Sequence, residues 1–169
     1  MSTILITGAN KGLGHEAARR LVAAGHEVWA AARDPERGRA AAEDIRAHPL
    51  VLDVTDDASV RSAASTLGGA TGGVLDVLIN NAGISGGRVS AGDLTAEKMK
   101  EVYDVNVFGP VRVLHAFLPL LERSATSPAA ACRQSEDTDD DQASADGDLH
   151  ATLLGTGGRQ YPTSSGLRP

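Results

Sequence analysis

Short apolar runs alternate with longer segments of helical periodicity through the first 121 residues. The apolar runs, rich in Val, Leu, Ile or Ala, predict four strands at residues 3–7, 27–32, 49–52 and 74–80. Apolar residues recur at helical spacing between these runs and after the last one. They predict helices at residues 13–24, 34–47, 56–67 and 95–121.

Glycine, proline and capping residues set several of these boundaries. Asp34 and Pro35 are suited to begin a helix, the first as a cap and the second as a residue of the first turn. The glycine-rich stretch 68–73 predicts a loop, and the last helix is predicted to bend near Gly109 and Pro110.

The alternation of strands and helices predicts the fold class. Such a chain forms an α/β domain with a doubly wound parallel sheet between two helical layers, here incomplete because only the first four strands are clear. Ligands of such sheets bind beyond the carboxyl ends of the strands, at the point where the strand order reverses. The candidate functional residues are therefore sought there.

The pattern ends after Leu121. Residues 122–169 predict an irregular acidic tail with one short strand near 149–154. Seven acidic residues and one arginine lie between residues 133 and 148, and together they account for the whole net charge of −6. The predicted organisation is a nucleotide-binding domain over 1–121 followed by this tail.

Composition excludes several classes of function. No basic patch suits nucleic acid, and no apolar segment is long enough to span a membrane. The five histidines show no metal-ligand spacing, and the single cysteine, Cys132, cannot form an internal disulfide. No signal peptide is predicted at the start, so the expected location is cytoplasmic.

The most specific motif is Thr-Gly-Ala-Asn-Lys-Gly-Leu-Gly at residues 7–14, between the first strand and the first helix. Gly8 permits a tight turn, Gly12 lets the backbone approach a diphosphate, and Gly14 allows close packing of the helix. The helix would present its free N–H groups to the phosphates. A glycine-rich turn can also be only a turn, but the strand-turn-helix context favours a dinucleotide site.

Three further motifs follow the glycine-rich turn in order: Asp53-Val54, Asn80-Asn81-Ala82-Gly83 and Asn106. Together the four motifs resemble the short-chain dehydrogenase/reductase family over about residues 3–121. The Asn-Lys-Gly turn and the later Ala32-Arg33-Asp34 look most like its carbonyl reductases. The resemblance implies a Rossmann-type fold and an oxidoreductase acting on a small carbonyl or alcohol. Sugar-nucleotide epimerases share the fold, but Asn-Asn-Ala-Gly favours the reductases.

The resemblance also assigns roles. Asp53 would bond the adenine amino group, and Val54 would contact the adenine ring. Residues 80–83 would tie the sheet together and line the nicotinamide ribose, and Asn106 would hold a water of the proton relay. The predicted cofactor-binding residues are Gly8, Asn10, Lys11, Gly12, Leu13, Gly14, Arg33, Asp53, Val54, Asn80, Ala82 and Gly83. Without the family match, Asp53 would be a cap or turn residue, Asn80 part of a plain turn, and Asn106 a polar residue in a bent helix.

Charge favours NADP(H) over NAD(H). An acid at the end of the second strand would select NAD, whereas this chain has Ala32-Arg33 there. A guanidinium can bind a 2′-phosphate through two charge-assisted hydrogen bonds, and Lys11 adds a second cation. Asp34 could act as an acidic selector, but its place before Pro35 favours a helix cap. Arg33 and Lys11 could also be ordinary solvated charges.

The rest of the family's catalytic apparatus is not found. Tyr161 is the only tyrosine after residue 121, but Ser165 stands where the family has a lysine, and no lysine follows Lys100. These features suggest a truncated or frame-shifted family member, and the alternative function is a catalytically incomplete NADP(H)-binding remnant. An open fourth strand and exposed apolar helix faces would then favour marginal stability, aggregation or a homo-oligomer.

Overall fold

The computed structural model describes residues 1–87, 90 and 92–125 of the 169-residue chain. Four strands and five helices follow one another along it. They are β1 (Thr3–Thr7), α1 (Gly12–Ala23), β2 (Glu27–Ala32), α2 (Pro35–Ile45), β3 (His48–Val51), α3 (Asp57–Ala70), β4 (Val77–Ile79), α4 (Ala96–Tyr103), a π-helical turn (Asp104–Phe108) and α5 (Gly109–Leu121). The predicted tail and its short strand lie outside the described residues, apart from 122–125.

All four strands are parallel, in the spatial order β3-β2-β1-β4. The chain moves outward from β1 to β3 and then returns to the other side of β1. The strand order therefore reverses between β1 and β4, which is the position where doubly wound sheets bind ligands. This confirms the predicted α/β Rossmann-like fold.

Side chains of each strand alternate between two cores, as the pleat requires. Leu5 faces a core that includes Val113 and Phe117 of α5. Ile4 and Ile6 face the opposite core, which includes helix residues such as Ala18 and Ala42. Both faces of the sheet are thus covered by helices, in three layers.

The predicted loop at 68–73 is wrong for its first residues. Helix α3 continues to Ala70, and its C-cap is Thr71. A Cβ on Gly68 would lie only 3.3 Å from a methyl group of Leu120, so the glycine lets α3 pack closely against α5. Tertiary packing therefore outweighs the low helix propensity of Gly68 and Gly69.

The predicted strand at 74–80 is shorter in the structure. Only Val77–Ile79 pairs with β1. The preceding Leu75 donates its N–H to the Leu120 carbonyl of α5, at 3.1 Å, and so leaves the strand ladder.

The predicted helix at 95–121 runs without a break from Ala96 to Leu121, but a π-helical turn interrupts its α-helical geometry. The bend was expected at Gly109 and Pro110, but the irregular part is the π-helical turn that directly precedes them. Gly109 is buried, and a Cβ there would lie 2.9 Å from Val54. Large apolar side chains such as Phe108 and Val111 are exposed on this helix. None of the described helices is long and apolar enough for a membrane span.

Candidate functional site

Glycine is required at the three positions of the first turn for different structural reasons. Gly8 and Gly12 have φ angles of +65° and +61°, which favour glycine. A Cβ on Gly8 would lie 2.8 Å from the Cα of Ala82, whereas one on Gly12 would meet open space. A Cβ on Gly14 would collide with the Asn81 side chain and lie 2.8 Å from the Gly8 carbonyl. Gly14 therefore makes room both for the Asn81 side chain and for the backbone carbonyl that follows β1.

The N-terminus of α1 differs from those of α2, α3 and α4. Those three helices are capped by the side chains of Asp34, Asp56 and Thr95, each of which accepts a backbone N–H of the first turn. The N-cap of α1 is Lys11, which makes no such bond, and its first turn holds no acidic residue. Among the residues that the structure describes, no side chain therefore caps the first N–H groups of α1, and no carboxylate of its first turn offsets the positive end of the helix dipole.

An open cleft of about 450 Å³ lies in front of this helix end, at the carboxyl ends of the strands. Every predicted cofactor-binding residue lines it except Asn80. Ala32, Leu52, Thr55, Asn81, Ile84 and Val105 complete the wall. The structure thus brings together residues that are up to 75 positions apart in the predicted set, from Gly8 to Gly83.

Asp53 is fixed on the cleft wall through one of its two carboxylate oxygens. Its Oδ1 accepts hydrogen bonds from the backbone N–H of Thr55, at 2.9 Å, and from the Thr55 hydroxyl, at 2.7 Å. Burial raises the pKa of Asp53, but these two bonds and the charge of Arg33 outweigh it, so the pKa is lowered overall. Asp53 is therefore a carboxylate at neutral pH, and its Oδ2 has no hydrogen-bond partner among the described residues.

The two candidate cations are exposed at the rim of this cleft. Neither Lys11 nor Arg33 forms an ion pair with any residue that the structure describes. The nearby Asp34 instead accepts the Arg37 N–H at 3.0 Å and caps α2, which confirms its predicted structural role. Two positive charges thus remain available beside the cleft.

Asn81 and Thr7 join β4 to β1, and neither was among the predicted cofactor residues. The Thr7 hydroxyl accepts the N–H groups of Asn81 and Ala82, both at 3.0 Å. The Asn81 side chain donates to the carbonyls of Thr7 and Gly8, at 2.9 and 3.2 Å. Asn80 is exposed and outside the cleft wall, so the second asparagine of the pair ties the sheet. Thr7 could have been found as the polar residue at the carboxyl end of a strand whose central residues are apolar.

Asn106 lies in the π-helical turn and holds the segment after β4. Its Nδ2 donates to the Ile84 carbonyl at 2.7 Å, and its Oδ1 accepts the Ile84 N–H at 2.9 Å. A Cβ on Gly83 would lie 3.3 Å from the same Oδ1. Asn106 therefore fixes the backbone of one wall of the cleft.

Comparisons with known proteins agree with this geometry. The family model described as short chain dehydrogenase matches residues 2–128. The chain belongs to the short chain dehydrogenase family. Members of this family are oxidoreductases of small carbonyl or alcohol substrates that bind NAD(H) or NADP(H), and the predicted resemblance is confirmed.

Three relatives illustrate the similarity of this short chain dehydrogenase family member. A short-chain dehydrogenase of Penicillium roqueforti is 38% identical over 129 residues, a match covering 72% of this chain and 50% of the relative. The NADPH-bound carbonyl reductase from chicken fatty liver is 35% identical, with a TM-score of 0.66 over 74% of this chain and 53% of that one. The 3-ketoacyl-(acyl-carrier-protein) reductase of Brucella melitensis, complexed with NADH, is 29% identical, with a TM-score of 0.66 over 70% and 49%.

The chain spans about half the length of these family members. Asn106 is the one predicted catalytic residue in the part that the structure describes. Tyr161, the other, lies outside the described residues. Both catalytic roles stay predictions.

Proposed function

We propose that residues 1–121 are the NADP(H)-binding part of an oxidoreductase that acts on a carbonyl or alcohol. The observation that carries the proposal is the uncapped N-terminus of α1, which faces the cleft over Gly12. A diphosphate would supply the oxygen atoms that Asp34, Asp56 and Thr95 supply at the other helices. The open space at Gly12 fits the close approach of such a group.

The rest of the cleft fits the two ends of the dinucleotide. Asp53 can accept the adenine amino group through Oδ2, and Val54 offers a mostly buried apolar contact for the ring. Ala82, Gly83 and Ile84 lie on the opposite side, where they can line the nicotinamide ribose. The role of Asn80 in binding also stays a prediction.

The preference for NADP(H) rests on charge at the rim. A 2′-phosphate would meet Arg33 and Lys11, neither of which is paired with another described residue. Asp34, the acid that would favour a ribose hydroxyl, is already bonded to the first turn of α2. The family relatives include an NADPH complex and an NADH complex, so these residues, and not family membership, support the choice.

The chemistry of the proposed reaction is hydride transfer, which a bound nicotinamide supplies. Asn106 would position the wall beside it through Ile84, and Tyr161 is the remaining candidate for proton transfer. We also retain a homo-oligomeric state and a cytoplasmic location as predictions.

Titration of the purified chain with NADPH and NADH tests the proposal. We expect NADPH to bind more tightly than NADH. Calorimetry or the fluorescence of the reduced nicotinamide measures the two affinities. Arg33→Met should weaken NADPH binding at least about ten-fold and leave NADH binding almost unchanged, because a charge-assisted hydrogen bond contributes about 1.5–3 kcal/mol. Arg61→Met is the matched control, since Arg61 is exposed on α3 outside the cleft wall.

A folded chain that binds neither nucleotide would contradict the proposal. Turnover separates the two functions that the sequence left open. Oxidation of NADPH with any member of a panel of aldehydes and ketones indicates an enzyme, and Tyr161→Phe should then abolish it. Tight binding without turnover would instead favour the catalytically incomplete form.

A further inference from the structure

The π-helical turn Asp104–Phe108 shapes the cleft, although most residues of the turn lie outside the cleft wall. The Gly109 N–H donates to the Asp104 carbonyl, five residues back instead of the four of an α-helix. Val105 within this turn lines the cleft, and Asn106 holds Ile84, which also lines it. Whatever stabilises the π geometry therefore sets two parts of the cleft wall.

Arg112 makes the bonds that hold this turn in place. Its guanidinium lies 2.6 Å from the Asp104 carboxylate and 3.4 Å from the Asp104 carbonyl. The same guanidinium bonds the Val54 carbonyl at 3.3 Å and pairs with Asp57 at 3.2 Å. The side chain is 27% exposed, so these contacts are partly shielded from water. Arg112 thus joins the start of the π turn to the loop between β3 and α3.

The Asp104–Arg112 pair itself depends on the π geometry. The two residues are eight positions apart, whereas ion pairs along a helix normally join residues three or four apart. Eight residues of regular α-helix rise about 12 Å. A turn that holds an extra residue shortens this separation. The pair and the π turn therefore stabilise each other.

We propose that Arg112 is a positioning residue of the cofactor site, which acts by holding the π turn so that Val105 and Ile84 stay in the cleft wall. Without the guanidinium, the turn can relax toward the regular α-helix. That change shifts the register of Val105 and Asn106 and releases the Ile84 backbone. On the adenine side, Thr55 and Ser59 fix Asp53, and the bond from Arg112 to the Val54 carbonyl is separate from its bonds to Asp104. The meaning of this role for cofactor binding rests on the proposed function.

Hydrogen exchange of the Ile84 amide, measured by NMR on the full chain, tests the clamp directly. Arg112→Met removes the guanidinium and keeps an unbranched side chain. We expect Ile84 to exchange about ten-fold faster in this variant. Asp104→Asn removes one charge with almost no change of shape and should act in the same direction, so the test does not depend on one variant. Arg19→Met, which loses the exposed pair with Glu16 on α1, should leave Ile84 unchanged.

Binding distinguishes positioning from general destabilisation. In Asp104→Asn, which keeps the Arg112 bond to the Val54 carbonyl, the affinity for NADPH should fall about ten-fold, while that for adenosine 2′,5′-bisphosphate should change less than about two-fold. Unchanged Ile84 exchange in both variants, or equal weakening of the two ligands, would overturn the proposal. If the unaltered chain binds no NADPH, the proposed function fails, and the exchange of Ile84 alone then decides whether Arg112 holds the turn.

Discussion

The two ends of the sheet differ in how far their charged and polar groups are paired within the protein. At the amino end, Asp76 accepts the Thr3 N–H at 2.7 Å and the Ser124 hydroxyl at 2.5 Å. Glu27 there accepts the indole N–H of Trp29 and the Thr3 hydroxyl, both at 3.2 Å. At the carboxyl end, Thr7 and Asn81 bond across the sheet, but among the described residues no side chain caps the N–H groups that begin α1, and no acid pairs with Lys11 or Arg33.

This difference assigns fold stability mainly to one end of the sheet and ligand binding mainly to the other. Polar groups bonded to one another stabilise the fold, because leaving them without partners would be costly. Groups left without a partner around a cleft contribute little to the fold and remain available for a ligand. Substitutions at the amino end should therefore change the free energy of unfolding, and those at the carboxyl end should mainly change the affinity for the nucleotide.

The largest effect is expected at Gly14, because this residue matters both for the stability of the fold and for nucleotide binding. Gly14→Ala would place a methyl group on the Asn81 side chain and against the Gly8 carbonyl. We expect a loss of about 1–3 kcal/mol in the free energy of unfolding, as for other overpacked sites, together with loss of NADPH binding. Urea denaturation followed by the fluorescence of Trp29, the only tryptophan, measures the first effect.

Gly69→Ala is the matched control for this prediction. Gly69 is also helical, but a Cβ there would meet nothing within 4 Å. The substitution should stabilise the chain by about 0.5–1 kcal/mol and leave binding unchanged. Equal effects of the two substitutions would show that the crowding at Gly14 is unimportant.

The next effect is expected at the amino end. Asp76→Asn weakens the acceptor of the Thr3 N–H and Ser124 hydroxyl bonds, and Ser124 is only 1% exposed. We expect a loss of about 1–3 kcal/mol in the free energy of unfolding. The affinity of the folded chain for NADPH should not change. A variant of normal stability with weakened binding would reverse the comparison between the two ends.

A smaller effect tests the uncapped helix. Lys11→Asp gives α1 the kind of cap that α2 and α3 already have. The free energy of unfolding should rise by about 1 kcal/mol, because the new carboxylate can accept a first-turn N–H. NADPH binding should be lost, since the same carboxylate repels a diphosphate. A gain of stability with unchanged affinity would place the diphosphate elsewhere.

Local patterns predicted the parts of this fold that local interactions determine. β1 and β2 have the predicted bounds, because each is an apolar run between turn residues. Asp34 caps α2 as expected. Such features depend on neighbours in sequence, which a single chain displays directly.

Features that depend on distant contacts were missed. The π turn depends on the packing of Gly109 against Val54 and on the bond from Arg112 to Asp104, eight residues earlier. The extension of α3 through Gly68 depends on the close packing of Gly68 against Leu120 of α5. The family motif marked residues 80–83 for the cleft, but only the fold decides that Asn81 faces Thr7 while Asn80 is exposed. Sequence analysis therefore found the turn and the candidate cations, but not the contacts that position the opposite wall.

The smallest expected effect is the pH dependence of stability at Asp53. Its pKa is lowered in the folded chain, so the carboxylate stabilises the fold above the unfolded value of 3.8. This contribution is lost as the pH falls through the lowered folded pKa. Below about pH 4, the free energy of unfolding should therefore fall more steeply in the unaltered chain than in Asp53→Asn, as measured by urea denaturation at pH 7, 4 and 3.

Glu16 provides the comparison that makes this last prediction specific. Hydrogen bonds to Arg19 and Arg20 lower its pKa to about 2, but the carboxylate lies on an exposed helix face. Salt at about 1 M should remove most of the contribution of Glu16, because exposed ion pairs are screened. It should spare most of that of Asp53, which depends on two short bonds from Thr55. If salt removed both contributions equally, Asp53 would be held mainly by the charge of Arg33, and that guanidinium would be less available for a 2′-phosphate.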